Sequence, residues 1–284
     1  MITFPPSKVT FRQQKLSETP DARIICEKLK MSWKPQSKRY ESCFRALLDS
    51  NQLWQLGDFM THISLKLPNG FYLGLNRQDG SEIMLQIETT QDEPSDEMVE
   101  EKPNEPGCVQ RIGTYMDSYT ISSGDIIYRR VTAFELMECS VSELGKCNLE
   151  QCKFIIGSVL KIVRGHEIKP ETIMFDSDGR IKLLDLGITK FDLTLTIDTR
   201  MIMFCAPEIL NGRLNQTSNM YSLGRVLQFL YTGKRNWSFI TCDFEIDQCD
   251  EKLYQLLSIM LNADPNKRSN PADLLQHPFF ISVD

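Results

Sequence analysis

The chain predicts an α+β protein of two lobes, strand-rich first and helical second, and three observations lead there. Between Leu56 and Phe134 the apolar residues fall in short β-type runs broken by turn residues, whereas after Glu138 they recur at helical spacing. A length of 284 residues with 41% apolar content is ample for close-packed cores, in one large domain or two small ones.

Taken in order, residues 1–38 read as a loosely ordered basic N-terminal arm. Pro5-Pro6, Pro20 and Pro35 interrupt scattered Lys and Arg, with room for one short helix over Ala22–Leu29. Residues 39–55 read as an amphipathic-helix segment, because Tyr40, Phe44, Leu47 and Leu48 share one face, with Asp49 to Asn51 ending the run, and the face is expected to pack on the lobe that follows. The N-lobe spans 56–137. Its runs Ile63–Leu67, Phe71–Leu75 and Glu82–Ile87 are separated by Pro68-Asn69-Gly70 and Gln78-Asp79-Gly80, the composition of antiparallel hairpins. An acidic insert, 88–107, follows, in which Glu88, Asp92, Glu93, Asp96, Glu97, Glu100, Glu101 and Glu105 are opposed by Lys102 alone and three prolines limit helix. It reads as a solvated loop, with an acidic docking motif as the second reading. Strands resume over Gln110–Tyr119 and Asp125–Phe134.

The C-lobe, 138–284, opens with Leu149, Cys152, Ile156, Val159, Leu160 and Val163 on one helical face. A hairpin follows, Ile173–Phe175 and Ile181–Leu184 joined by Asp176-Ser177-Asp178-Gly179. Met220–Tyr231 is apolar nearly all round and closes at Gly233, so a helix buried on every side is expected. Leu253, Leu256, Leu257, Met260 and Leu261 predict one more amphipathic helix, and Asn270-Pro271 caps and starts the last.

Composition excludes several function classes. A formal charge of −6 provides no overall basic field, which argues against nucleic acid as a partner. Three well-separated histidines and nine cysteines without a Cys-x-x-Cys pair leave no zinc ligand pattern. The odd cysteine count and the absence of a signal-like start favour reduced thiols and a cytoplasmic or nuclear location. The most apolar stretch, Phe154–Val163, is too short to span a bilayer, so no membrane partner is expected.

Gly165-His166-Glu167-Ile168-Lys169-Pro170-Glu171-Thr172, the hairpin after it and Asp185-Leu186-Gly187 resemble the eukaryotic protein kinase family. Ala206-Pro207-Glu208, Asn219-Met220-Tyr221-Ser222-Leu223-Gly224, Asp264-Pro265-Asn266-Lys267-Arg268 and His277-Pro278-Phe279-Phe280 follow in the family's order, so the resemblance covers about Leu56 to Phe280. It implies a bilobal kinase fold with ATP and magnesium between the lobes.

Position by position, the resemblance also implies a degenerate site. Gln86 stands where the family carries the lysine that holds the α/β-phosphates, and a neutral amide cannot offset phosphate charge. Ser64, Lys66 and Asn69 replace the three glycines of the phosphate loop. Phe71 and Met84 enlarge the small residues that roof adenine. Glu167 replaces the aspartate that accepts the hydroxyl proton, and Thr172 replaces the asparagine that binds the second magnesium. What remains for weak ATP contact, if any, is Asp185, Lys169 and the hinge residues Glu135 and Met137 beside Phe134, with Asp185 also the magnesium candidate. Asp185-Leu186-Gly187 reads equally as a turn without metal, and Lys169 as a loop-bracing lysine. Thr194, Thr196 and Thr199 read as ordinary loop threonines. Glu208 and Arg268 are kept as the family's structural ion pair.

The expected function is therefore a catalytically inactive kinase-like domain, a pseudokinase, acting as scaffold or allosteric regulator by binding other proteins, such as an active kinase or a basic protein surface. The alternatives are an atypical, low-activity Ser/Thr protein kinase that uses Lys66 as a displaced lysine, and a nucleotide-binding switch without phosphotransfer.

Overall fold

The computed structural model describes residues 36–49, 53–67, 70–91, 104–164, 168–185, 203–209, 217–234 and 250–281. The arm to residue 35, most of the acidic insert, Asn69, Gly165 to Glu167 and the three threonines of 194–199 lie outside them. The chain divides into two compact units, one running to Glu138 without Pro106–Cys108, the other made of Pro106–Cys108 and Cys139 onward.

The first unit opens with helix α1, Glu41–Asp49. Ser37 accepts the Tyr40 N–H through its hydroxyl at the helix start, and the exposed Glu41–Arg45 pair spans one turn. Strands β1 (Trp54–Leu56), β2 (Phe59–Lys66), β3 (Tyr72–Asn76), β4 (Glu82–Thr90), β5 (Arg111–Thr120) and β6 (Ile126–Glu135) make one antiparallel sheet in the order β1-β2-β3-β4-β6-β5. Cross-strand pairing sorts the side chains onto two faces. Trp54, Leu56, Phe59, Tyr72, Ile83, Leu85, Val131 and Ala133 pack together on one. The sheet curls around this face: Tyr115 of β5 lies so close to Gly57, in the β1–β2 turn, that a Cβ there would come within 2.5 Å of its ring. The other face carries Met60, Leu73 and Leu75, which bury Phe44, Leu47 and Leu48 of α1.

Three boundaries differ from the sequence reading. The helix of the 39–55 segment ends at Asp49, as the break at Asp49 to Asn51 predicts, but Trp54–Leu56 is an edge strand paired with Phe59–Thr61, too short to carry a pattern of its own. Strand β4 runs on to Thr90, so Glu88 belongs to the sheet and not to a solvated insert, because its carboxylate pairs with Arg130 on β6. Gln36 and Ser37 belong to the lobe and not to a loose arm: their N–H groups bond the buried Glu82 carboxylate at 3.1 and 2.9 Å.

The second unit holds a small sheet, β7 (Cys139–Ser140), β8 (Ile173–Phe175) and β9 (Ile181–Leu183), with Ile173 opposite Leu183. Helix α2, Leu149–Ile162, is started by a reciprocal box in which Asn148 and Gln151 side chains each accept the other's N–H. Helix α3, Ser218–Thr232, is buried along nearly its whole surface and ends at Gly233 with φ +70°, a left-handed turn that glycine adopts without a Cβ penalty. Helix α4, Glu251–Met260, and α5, Pro271–Leu275, are capped by Asp250 and Asn270. Helix α3 packs against α2 and α4, and the core runs from Val141 to Phe279. Burial pushes the Cys152 thiol up to about 12, which makes it a packing atom rather than a nucleophile. The chain stretch Pro106–Cys108 joins this unit: Leu183 N–H donates to the Gly107 carbonyl at 2.9 Å, and Cys108 bridges Leu183 in parallel. Among the described residues, no helix is long and apolar enough to cross a membrane.

Candidate functional site

In the first unit, the residues that the resemblance sets at nucleotide positions lie on the sheet face that also carries α1. Met84 pairs with Leu73 on one side and Phe134 on the other, and Gln86 follows two residues along the same face. Phe71, Met84 and Phe134 are all buried, with Phe71 meeting Phe134 edge to face at 6.0 Å. The Gln86 amide donates to Glu88 Oε1 at 3.0 Å, and Arg130 donates to Glu88 Oε2 at 2.8 Å through Nε. Where the resemblance would set a lysine ammonium against a helix glutamate, this sheet holds a three-membered network of its own.

Lys66 is placed elsewhere. A register shift in β2 between Thr61 and Lys66 puts Lys66 opposite Tyr72, and its ammonium stands 5.7 Å from the Tyr72 ring centroid. Tyr72 pairs with Leu85, so this is the opposite face of the sheet from Met84 and Gln86. Glu135 exchanges two bonds with Gln110: its N–H donates to the Gln110 carbonyl, and its carboxylate accepts the Gln110 N–H at 2.7 Å. Met137 is buried.

In the second unit, Thr172 is 1% exposed and its hydroxyl is closed on its own loop. It accepts the Lys169 N–H and donates to the Lys169 carbonyl, both at 3.1 Å. Leu184 N–H donates to the Thr172 carbonyl, which brings that loop beside Asp185. Glu167 lies outside the described residues. Asn219, at the start of α3, donates its amide to the Arg164 carbonyl at the entrance to the same loop. Among the described residues no group of three His, Cys, Asp or Glu converges to hold a metal ion.

Glu208 and Arg268 meet in a two-pronged ion pair, Nη1 to Oε1 at 2.5 Å and Nη2 to Oε2 at 3.0 Å. The Arg268 side chain is fully buried, its Nε donates to the Asn262 carbonyl at 2.7 Å, and its guanidinium lies 5.0 Å from the Tyr221 ring centroid. Ser218 adds a hydroxyl donor to Glu208 Oε1 at 2.7 Å. Burial alone would raise the Glu208 pKa; the hydrogen bonds from Arg268 and Ser218 and the Arg268 charge outweigh it and hold the carboxyl below its usual range. A carboxylate lowered on folding stabilises the fold above its unfolded pKa, about 4.3, and that contribution fades as pH falls through the folded value. The urea midpoint of wild type is therefore expected to exceed that of Glu208→Gln at pH 7, with the gap closing below about pH 4. A gap independent of pH would contradict the ionised pair.

Sequence reading assigns no role to Arg130 or Glu82, and it names Asn219 only as part of the Asn219–Gly224 run, without its bond to Arg164. Glu88 reads from sequence as part of the acidic insert, so neither its place on the strand face two residues from Gln86 nor its partner on β6 is visible there.

A protein kinase domain profile matches residues 161–280. Residues 161–280 are thus similar to a protein kinase domain, and the sheet-rich first unit and mostly helical second unit are consistent with the two lobes of that fold. It is 30% identical over 133 residues to the probable serine/threonine-protein kinase ireA of Dictyostelium discoideum, a match covering 41% of this chain and 14% of the relative. A probable myosin light chain kinase of the same organism is 29% identical over 170 residues, 49% of this chain and 35% of the relative. Sperm motility kinase 2B of Mus musculus is 27% identical over 129 residues, 40% and 27% respectively. The matches thus span about a third or less of these relatives' lengths.

Proposed function

We propose that this chain is a degenerate member of the protein kinase family, a pseudokinase: it transfers no phosphate and works by binding another protein, an active kinase or a basic protein surface, in the cytoplasm or nucleus. The observation that carries the reading is the Gln86–Glu88–Arg130 network. The position that should present a phosphate-binding ammonium presents an amide already committed to Glu88, and Arg130 on β6 is committed to the same carboxylate. ATP and magnesium do not fit the residues present. Phe71, Met84 and Phe134 fill the sheet face from within, and the Thr172 hydroxyl is spent on the Lys169 backbone. That leaves Asp185 without the second ligand the family uses.

The displaced-lysine reading loses support from the Lys66–Tyr72 stack on the far face. The nucleotide-switch reading rests on Asp185 and the hinge backbone around Glu135 to Met137.

Two assays on the full chain test the proposal. Radiolabel transfer from ATP to a peptide library is expected to equal a buffer blank, and turnover abolished by Asp185→Ala would overturn the proposal. Thermal unfolding with ATP, with and without magnesium, is expected to show no shift. A ligand at 100 times its dissociation constant would add about 2.7 kcal/mol, so a clear rise without turnover would favour the switch.

A further inference from the structure

We infer that residues 36–49 form a strap in cis, a two-state latch that docks beside the Met84–Gln86 face and fixes the end of the first unit. The inference does not depend on whether the chain transfers phosphate. Three kinds of contact meet on this short segment. The N–H groups of Gln36 and Ser37 satisfy Glu82, a carboxylate only 2% exposed. The apolar face of α1 covers Met60, Leu73 and Leu75, with Leu136 packed at its margin, and Leu73 is the direct cross-strand neighbour of Met84. Arg39 Nη1 and Tyr40 Oη both donate to the Glu138 carbonyl, at 2.6 and 2.8 Å. Glu138 is the last residue of the first unit.

A helix of nine residues is too short to persist alone in water, so α1 is helical only while docked. Undocking therefore means unfolding, and the strap has two states rather than a range. Release would uncover an apolar strip beside Met84, leave the Glu82 carboxylate without the two backbone donors, and free the Glu138 carbonyl. The docked state closes off the strip and holds the stretch Leu136–Glu138, so the equilibrium of the strap sets how rigid that stretch is.

Amide hydrogen exchange on the full chain reads the latch directly. Arg39→Ala with Tyr40→Phe removes the donors to Glu138 and leaves the buried α1 face intact. It is expected to speed exchange over residues 136–139 at least about tenfold, with 173–183 in the second unit unchanged. Phe44→Ser is expected to speed exchange over 41–49 and 72–76 together, and a synthetic peptide of residues 36–49 added in trans is expected to restore protection at 72–76. If the Phe44 variant does not fold, the Arg39/Tyr40 variant alone decides. Unchanged exchange at 136–139 in that variant, or a folded Phe44 variant that the peptide does not protect, would overturn the latch and leave α1 an ordinary packing helix.

Discussion

Glu208→Ala and Arg268→Ala are each expected to lower the stability of the second unit by about 3 to 5 kcal/mol, because either change strands a buried partner. The Arg268 side chain has no exposure, and its guanidinium also serves the carbonyl of Asn262 and the ring of Tyr221, so losing Glu208 leaves a buried cation that water cannot reach. Loss of Arg268 leaves Glu208 with the Ser218 hydroxyl alone among these side-chain donors. Lys169→Ala is the contrast: its backbone groups, not its ammonium, hold Thr172, so a change within about 0.5 kcal/mol is expected. Urea unfolding of the three variants separates these outcomes. Equal midpoints would mean that the ion pair does not anchor this unit.

Gly107→Val is expected to cost about 3 kcal/mol or more. Gly107 sits at φ +84°, where a β-branched residue is strained by about 1 to 2 kcal/mol, and an added Cβ would lie 2.8 Å from Ile162 Cγ2 on α2. Nothing there is free to yield cheaply, because the Gly107 carbonyl is also bonded to Leu183 in β9. Gly145, in the same unit at φ +67°, has no described atom within 4 Å of the corresponding Cβ, so Gly145→Val should incur the backbone strain alone. The difference between the two midpoints measures the Ile162 contact, and adding Ile162→Ala to Gly107→Val should recover part of it. Equal effects at the two glycines would show that Pro106–Cys108 is not packed against α2.

What the sequence determined by itself was local and periodic. Met220 to Tyr231 had to be buried on all sides and had to stop at Gly233. Asn270-Pro271 had to open a helix. The Ile173 and Ile181 runs had to pair, because in each case the information lies within a dozen residues. The substitutions at Gln86 and Thr172 were equally legible, since identity at an ordered position needs no coordinates. Tertiary structure alone decided what those substituted side chains do. Gln86 and Glu88 share a strand face by alternation, but only the β4–β6 register sets Arg130 against them, 42 residues along the chain from Glu88. A register shift in β2 between Thr61 and Lys66 decided the face of Lys66, and such a shift leaves no periodic trace. Glu82 stands at the start of an expected strand, and nothing in the sequence marks it as buried. Its burial depends on Gln36 and Ser37 arriving from another part of the chain, because a carboxylate leaves water only when donors come to meet it.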